Sequence, residues 1–286
     1  MKKWFFCVVL LGLLGYEWFH QGREAAVPEL DGRPQRQVLT DKGAKNLTVL
    51  SKSQIHQGSL LLVNREYPIH KSGVSKDIVT LSERPELTQG YALLDNSTML
   101  SEQVAEQFSK MVQAASGQGV RNFLISSGYR DNAKQQELFA DKGADYALPP
   151  GHSEHNLGLS LDIGSSQMAM SRAPEGQWLR EHAWDYGFIL RYPEDKTDIT
   201  GIKYEPWHFR YVGLPHSMIM RDNNFTLEEY LEFLKEQGVI TTSAKGIEYK
   251  VSYFKITGNT PVPTPSGKHV EFSGNNIDGV IMTVYP

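Results

Sequence analysis

The pattern of apolar and polar residues divides the chain into four segments. Residues 1–20 hold a short apolar run behind two lysines, and residues 21–55 are polar without a sustained period. Residues 56–238 alternate helical stripes with short apolar runs, and residues 239–286 are rich in β-branched residues, Gly and Pro. These patterns predict an N-terminal membrane anchor or uncleaved signal, a polar spacer, a mixed domain of helices and strands, and a small β-rich C-terminal segment.

The same pattern predicts where individual elements lie. Apolar residues at helical spacing predict helices over residues 101–115 and 227–237. A glycine just past the C-terminal end predicts two more, over residues 132–142 and 174–186, the second with a proline in its first turn. Continuous or alternating apolar runs predict strands over residues 60–64, 123–126, 157–163, 207–212, 248–256 and 279–285. In two of these strands, the alternation puts Asp162 and His208 on the faces opposite to the aliphatic or aromatic residues.

Composition narrows the range of functions. The chain has 286 residues, with 29 Lys and Arg against 33 Asp and Glu, and its net charge of −4 argues against a nucleic-acid partner. The single cysteine, Cys7, excludes an intramolecular disulfide and a thiolate-rich zinc cluster. Any bound metal must therefore be held by histidine and carboxylate side chains.

Candidate ligands and a candidate base gather around two of the predicted strands. If these strands are neighbours, their polar faces bring Asp162 and His208 together, and Gly158 lets the chain bend His155 toward them. Two imidazoles and one carboxylate leave an open position, which is typical of catalytic zinc. Glu205 could reach a water molecule at such a site and act as a general base. Spacing alone leaves three other histidines open as ligands: His152, His182 and His216.

Three motifs together resemble a known family. The residues S-x-H-x-x-G-x-x-x-D (153–162), E-P-W-H (205–208) and S-G-Y-R (127–130) are similar to motifs of the VanY-type zinc D,D-carboxypeptidases of peptidase family M15, subfamily B. The similarity covers roughly residues 57–237 and part of the C-terminal segment. It implies an α+β domain of the Hedgehog/D,D-peptidase type.

The resemblance also implies a role for each residue at a matching position. The Zn²⁺ ligands would be His155, Asp162 and His208, and Glu205 would be the catalytic base. Arg130 would act in catalysis and substrate binding, because a guanidinium can hold a terminal carboxylate or a developing oxyanion. Further substrate-binding positions would supply polar contacts to the peptide end and walls of the pocket: Gln135, Ser153, Tyr129 and Trp207.

The implied reaction is zinc-dependent removal of the C-terminal D-alanine from peptidoglycan pentapeptide stems that end in D-Ala-D-Ala, which would support resistance to vancomycin. The implied partners are the stem peptide or its precursor and, through the N-terminal segment, the cytoplasmic membrane. The positive-inside rule then puts the catalytic domain on the extracellular face. Alternatives are an L,D-carboxypeptidase that acts on tetrapeptide stems, an endopeptidase that cuts cross-links, and a non-catalytic zinc- or cell-wall-binding module. The presence of a base, Glu205, argues against the last.

Overall fold

The computed structural model describes residues 46–143 and 148–286. The anchor predicted at residues 1–20 lies outside the described residues, as does the predicted spacer up to residue 45. Over the part of the chain that is described, no helix is both long enough and apolar enough to cross a membrane.

Strands and helices are mixed in the middle of the described chain, and strands alone form its beginning and its end. The strands are β1 (Asn46–Leu50), β2 (Ile78–Thr80), β3 (Ala92–Leu93), β4 (Met99–Ser101), β5 (Phe123–Ser127), β6 (Ser160–Ser165), β7 (Phe188–Leu190), β8 (His208–Tyr211), β9 (Val239–Ala244), β10 (Ile247–Lys255), β11 (Thr260–Thr264), β12 (His269–Gly274) and β13 (Gly279–Tyr285). The helices are α1 (Glu102–Gly117), α2 (Asn132–Lys142), α3 (Pro174–His182), α4 (Thr197–Thr200), α5 (His216–Asn223) and α6 (Leu227–Gln237). The predicted helices that correspond to α1, α2 and α6 are confirmed, as are the predicted strands that correspond to β5, β8, β10 and β13.

Five strands form the central sheet, in the order β3-β5-β6-β8-β7. β3 runs parallel to β5, and every other neighbouring pair in this sheet is antiparallel. In its middle, β6 and β8 pair Leu161 with Phe209 and Asp162 with His208. Because successive side chains along a strand point to opposite faces, Leu161 and Phe209 share one face of the sheet while Asp162 and His208 share the other.

The main hydrophobic core lies on the face that carries Leu161 and Phe209. It combines apolar side chains of α1, α3 and the central sheet: Phe108, Met111, Trp178, Leu179, Leu161 and Phe209. Helix α1 begins at a cap in which the Val104 N–H donates to the Ser101 hydroxyl, and this bond satisfies one of the free donors at the helix start. With this face filled by helices, the opposite face is left for polar chemistry.

Residues 60–64 differ from their predicted strand. The apolar side chains at 60–63 are buried, as a strand would require. Their backbone nevertheless joins no sheet among the described residues, because the Leu62 N–H donates to the Asn275 carbonyl and the Asn64 N–H donates to the Tyr67 carbonyl. An apolar run alone does not distinguish a buried irregular segment from a buried strand.

Two further elements are shorter than predicted because a 3-10 turn replaces one end. The strand predicted from residue 157 begins at Ser160, since Glu154–Leu157 form a 3-10 turn that ends at Gly158. The helix predicted over 174–186 ends at His182 and is followed by a 3-10 turn.

The C-terminal segment shares a hydrophobic core with the preceding segment, residues 56–238. Its second sheet has the order β12-β13-β10-β9. Val251 and Ile281 of this sheet belong to a hydrophobic cluster that also contains Leu60, Leu62 and Leu234. The predicted boundary at residue 238 therefore separates segments of one compact unit.

The predicted spacer likewise ends earlier than residue 55. Asn46–Leu50 form β1, which pairs antiparallel with β11, and a 3-10 turn follows over Lys52–His56. Leu50 is the fully buried residue of β1, whereas Leu47 and Val49 are exposed. Leu47 and Val49 do alternate with polar Asn46 and Thr48, but the alternation is too short to stand out from the polar segment around it.

Shared packing of the C-terminal segment leads to a stability prediction. Replacing the buried Ile281 with alanine is expected to lower the free energy of unfolding by about 2–5 kcal/mol, because the cavity lies in the shared core. Ile277→Ala, in the same segment but 39% exposed, should change it little. Chemical denaturation followed by tryptophan fluorescence and far-UV circular dichroism measures both. Loss of the C-terminal strands in a separate, earlier transition would contradict the shared core.

Candidate active site

Strand register brings the first two candidate ligands together. Asp162 and His208 are directly opposed on β6 and β8. The His208 Nδ1 atom lies 3.3 Å from the Asp162 Oδ1 atom. The pairing predicted from alternation in the two strands is thus present in the structure.

His155 reaches the same position from the 3-10 turn before β6. This turn ends at Gly158, whose φ of +80° lies in the left-handed region that favours glycine. The His155 Nδ1 atom is 2.7 Å from the Gly128 carbonyl oxygen, which can only accept a hydrogen bond, so Nδ1 carries the proton. The other ring nitrogen, Nε2, then turns its lone pair toward Asp162 Oδ1, 3.4 Å away.

Two of the candidate ligands, His155 and His208, are buried, Asp162 is partly buried, and the three are electrostatically coupled. Burial alone would raise the pKa of Asp162, but the two imidazoles hold it well below its usual range. Burial lowers the pKa of His155, which favours the neutral, metal-binding imidazole. Burial also acts to lower the pKa of His208, yet the nearby carboxylates of Asp162 and Glu154 outweigh it and raise the pKa to about 9.

The donor set fits a metal ion. One ligand atom from each of His155, Asp162 and His208 can be chosen so that all lie within 4.8 Å of one another. The Asp162 Oδ1 atom is buried and accepts no hydrogen bond from any described residue, although two imidazole nitrogens face it. A buried carboxylate oxygen without a donor is costly. A cation between the three side chains would remove that cost.

Glu205 lies beside this cluster. Its Oε2 atom is 3.6 Å from His208 Nδ1, and its side chain is 27% exposed. The backbone N–H of Glu205 donates to the Tyr192 carbonyl, which fixes the start of the segment leading into β8. Burial raises the pKa of Glu205, with His208 opposing the shift. A carboxyl group that is partly open to solvent and has a raised pKa suits proton transfer near neutral pH.

Arg130 follows β5 and points a restrained guanidinium toward the cluster. Its Nε donates to Gln135 Oε1 at 3.0 Å, its Nη1 to Ser127 Oγ at 3.0 Å and its Nη2 to Ser153 Oγ at 3.4 Å. Burial lowers its pKa, while the charges of Asp162 and Glu205 act to raise it. Gln135 and Ser153, predicted to contact the peptide end, thus hold Arg130 in place.

The predicted pocket walls differ in exposure. Trp207 is 41% exposed and lies directly before His208. Tyr129 is partly buried, and its backbone N–H donates to the Met99 carbonyl at 2.6 Å. Each of the two is adjacent in sequence to a candidate site residue, Tyr129 to Arg130 and Trp207 to His208.

The other histidines are engaged elsewhere. His152 Nδ1 contacts the Asn64 carbonyl at 2.8 Å, and His216 Nδ1 contacts the Tyr230 hydroxyl at 2.7 Å. The His182 ring lies against the Trp178 ring, with centroids 4.6 Å apart. None of the three belongs to the metal-compatible cluster found among the described residues.

Sequence reasoning missed two residues that border the cluster. Glu154 is buried and its Oε2 atom is 3.3 Å from His208 Nε2. The buried Tyr192 ring lies 4.8 Å from the His208 ring, centroid to centroid. Glu154 sits between two motif residues, Ser153 and His155, but a charged residue in a turn gives no sign in the sequence that it faces inward.

Known proteins that are similar in sequence show the family of this chain. The family model described as "VanY: D-alanyl-D-alanine carboxypeptidase" matches residues 97–214. A D-alanyl-D-alanine carboxypeptidase from Enterococcus faecium is 49% identical over 294 residues, covering 100% of this chain and 97% of that relative. The chain belongs to the VanY family of carboxypeptidases. The predicted family and the prediction of an enzyme are confirmed.

Solved structures extend the similarity from sequence to fold. The vancomycin-resistance D,D-dipeptidase VanXYg, solved with a D-Ala-D-Ala phosphinate analogue, is 32% identical with a TM-score of 0.74, covering 84% of this chain and 99% of that one. The LD-carboxypeptidase LdcB is 32% identical with a TM-score of 0.52, covering 60% and 84%. A mutant of the D,D-pentapeptidase VanY from a VanB-type resistance cassette, solved with Zn(II), is 33% identical with a TM-score of 0.50, covering 60% and 98%. The predicted D,D-peptidase fold of this VanY-family chain is confirmed.

The geometry of this VanY-family site predicts which histidines matter for metal binding. His155→Ala is expected to abolish tight Zn²⁺ binding, because it removes one of the three candidate ligands. His152→Ala, three residues earlier, should leave Zn²⁺ affinity unchanged, since that ring contacts a backbone carbonyl outside the cluster. Competition against a chromophoric chelator measures both affinities. Equal losses in the two variants would contradict the assignment of His155.

Proposed function

We propose that this protein is a zinc D,D-carboxypeptidase that removes the terminal D-alanine from peptidoglycan pentapeptide stems ending in D-Ala-D-Ala, and thereby supports vancomycin resistance. The observation that carries the proposal is the joint arrangement of the metal-compatible cluster, a carboxyl base and a restrained guanidinium. Glu205 lies 3.6 Å from the cluster residue His208. Arg130 interacts electrostatically with both Asp162 and Glu205.

Recognition of a free chain end falls to Arg130. A guanidinium has five N–H donors, and three of these are taken by Gln135, Ser127 and Ser153 among the described residues. One N–H on each terminal nitrogen then remains for a ligand, which suits a carboxylate with two oxygens. This requirement favours a carboxypeptidase over an endopeptidase, whose substrate has no carboxylate at that position.

Metal binding falls to His155, Asp162 and His208. Histidine and carboxylate ligands suit Zn²⁺, and a set of three leaves a position open. When bound there, zinc would polarise the scissile carbonyl and lower the pKa of water.

Glu205 moves the proton in the proposed reaction. Its carboxylate accepts a proton from the attacking water as the new bond between oxygen and the carbonyl carbon forms. The same group then gives that proton to the amide nitrogen as the carbon–nitrogen bond breaks, and free D-alanine leaves. A pKa raised by burial brings the carboxyl closer to the pH at which both transfers are efficient.

An L,D-carboxypeptidase acting on tetrapeptide stems is the second candidate. The similarity to the LD-carboxypeptidase LdcB, at a TM-score of 0.52, keeps it open. Both reactions use the same metal ligands, base and carboxylate-binding group, so the difference lies in which residue precedes the scissile bond. A non-catalytic zinc- or cell-wall-binding module is disfavoured because it needs neither Glu205 nor Arg130.

The direct test is release of D-alanine by the full-length protein from a pentapeptide precursor and, in parallel, from a tetrapeptide. We expect release from the pentapeptide, loss of release after chelation, and its return with added zinc. Glu205→Gln should keep Zn²⁺ affinity and lose turnover by about 10²- to 10⁴-fold, because the general base is removed. Glu194→Gln, at an exposed position, serves as the matched control and should keep full activity.

Each alternative has its own signature in this assay. Preference for the tetrapeptide would replace the proposed substrate with that of an L,D-carboxypeptidase. Digestion of intact cross-linked peptidoglycan would indicate an endopeptidase. A zinc-loaded protein that releases D-alanine from neither peptide would favour the binding module, and near-normal activity of Glu205→Gln would remove Glu205 from the mechanism.

The proposal extends to the location of the enzyme. The apolar run in residues 1–20 behind Lys2 and Lys3 supports a membrane anchor with the catalytic domain on the extracellular face. Cell fractionation is expected to find the protein in membranes, and deletion of residues 1–20 should release it. A mature soluble form lacking those residues would indicate a cleaved signal instead.

A further inference from the structure

We propose that Glu154 is a positioning residue for the metal site: its carboxylate holds the His208 imidazole in the form that presents Nδ1 to the metal. The inference rests on the proposed zinc site and adds a residue that carries no predicted role.

Glu154 is completely buried and fully partnered. Its side chain has no exposed surface, and neither have the side chains of Arg191 and Arg210. Its Oε1 atom accepts from Arg191 Nε at 2.9 Å and from Arg210 Nη1 at 2.7 Å. Its Oε2 atom lies 3.3 Å from His208 Nε2 and accepts from Ser160 Oγ at 3.2 Å. Each oxygen therefore has a separate set of donors.

The contact of Glu154 Oε2 with His208 determines which ring nitrogen of His208 carries the proton. A carboxylate can only accept hydrogen bonds, so a bond between Glu154 Oε2 and His208 Nε2 requires the proton to be on Nε2. In the neutral imidazole, Nδ1 then has a free lone pair, and it is Nδ1 that lies beside Asp162 Oδ1 at 3.3 Å. His155 is fixed in the complementary way, through Nδ1 and the Gly128 carbonyl. Partners of this kind orient metal ligands and set their tautomers.

The two arginines keep Glu154 from turning away. Arg210 donates to the backbone carbonyls of Ser59, Leu61 and Tyr211 at 2.8, 3.0 and 3.1 Å. Arg191 is held on its other side by Glu228, with contacts of 2.9 and 2.6 Å to the two carboxylate oxygens. Both guanidinium groups are thus anchored independently of Glu154, and they fix the orientation in which Oε2 faces His208.

Two substitutions distinguish a positioning role of Glu154 from a purely structural one. In Glu154→Gln, the two guanidinium groups can only donate, so they demand the amide oxygen and turn the amide NH₂ toward His208. The NH₂ group is a donor, and it disfavours a proton on Nε2 and favours one on Nδ1, which blocks the metal-binding lone pair. Glu228→Gln weakens the same ion-pair cluster at Arg191 without contacting His208, and it is the matched control.

The test makes two measurements on each full-length variant. Chelator competition gives the zinc affinity, and NMR gives the ring N–H proton resonance of His208 in the zinc-loaded protein. Glu154→Gln is expected to lose about 10- to 100-fold in zinc affinity, and its His208 resonance should lose the downfield position caused by a carboxylate acceptor. Glu228→Gln should keep both, even if it unfolds at a lower temperature. Wild-type affinity in Glu154→Gln, or an equal loss in Glu228→Gln, would overturn the proposal.

A second variant covers the case in which Glu154→Gln does not fold. Glu154→Asp keeps the negative charge between the two arginines but shortens the reach to His208, so it should reproduce the affinity loss and the resonance shift in smaller measure. Unchanged affinity and resonance in that variant would also overturn the proposal. Neither readout requires peptide cleavage. A wild-type protein that binds zinc but releases no D-alanine would therefore contradict the proposed function alone.

Discussion

The structure depends on the burial of one carboxylate, Glu154, between the guanidinium groups of Arg191 and Arg210. Charges without solvent are tolerated only when their partners and hydrogen bonds are complete. Here they are complete: with Glu228 included, two positive and two negative groups balance, and backbone carbonyls take up further donors of Arg210. These groups come from the turn before β6, the end of β7, β8 and the start of α6. One network of buried ion pairs therefore connects the elements that border the metal-compatible cluster.

Much of the metal-compatible cluster could be predicted because apolar and polar residues alternate along β6 and β8. Leu161 and Ile163 are buried on one face of β6, so Asp162 had to face the other way, and the same logic applied to His208 beside Phe209. Long helices such as α1 and α6 carry strong apolar stripes and capping residues, and these are the elements that sequence describes best.

The remainder depends on partners that are distant in sequence. Glu154 is buried only because Arg191 and Arg210, 37 and 56 residues away, meet it. Residues 60–63 are apolar for packing, but their backbone partner Asn275 is more than two hundred residues further along, so no local pattern separates them from a strand. The role of Gln135 and Ser153 as supports of Arg130 likewise depends on three segments meeting at one guanidinium.

The core shared by Leu60, Leu62 and the last strands has a consequence for the order in which the protein is made. The Asn276 side chain donates to the Leu62 carbonyl across 214 residues, and β1 pairs with β11 over a similar span. Closing contacts this distant is slow and entropically costly. Every candidate site residue, from Tyr129 to His208, is synthesised before β9 to β13 exist. A nascent chain therefore carries the whole set of candidate ligands before the strands that pack against Leu60 and Leu62 have been made.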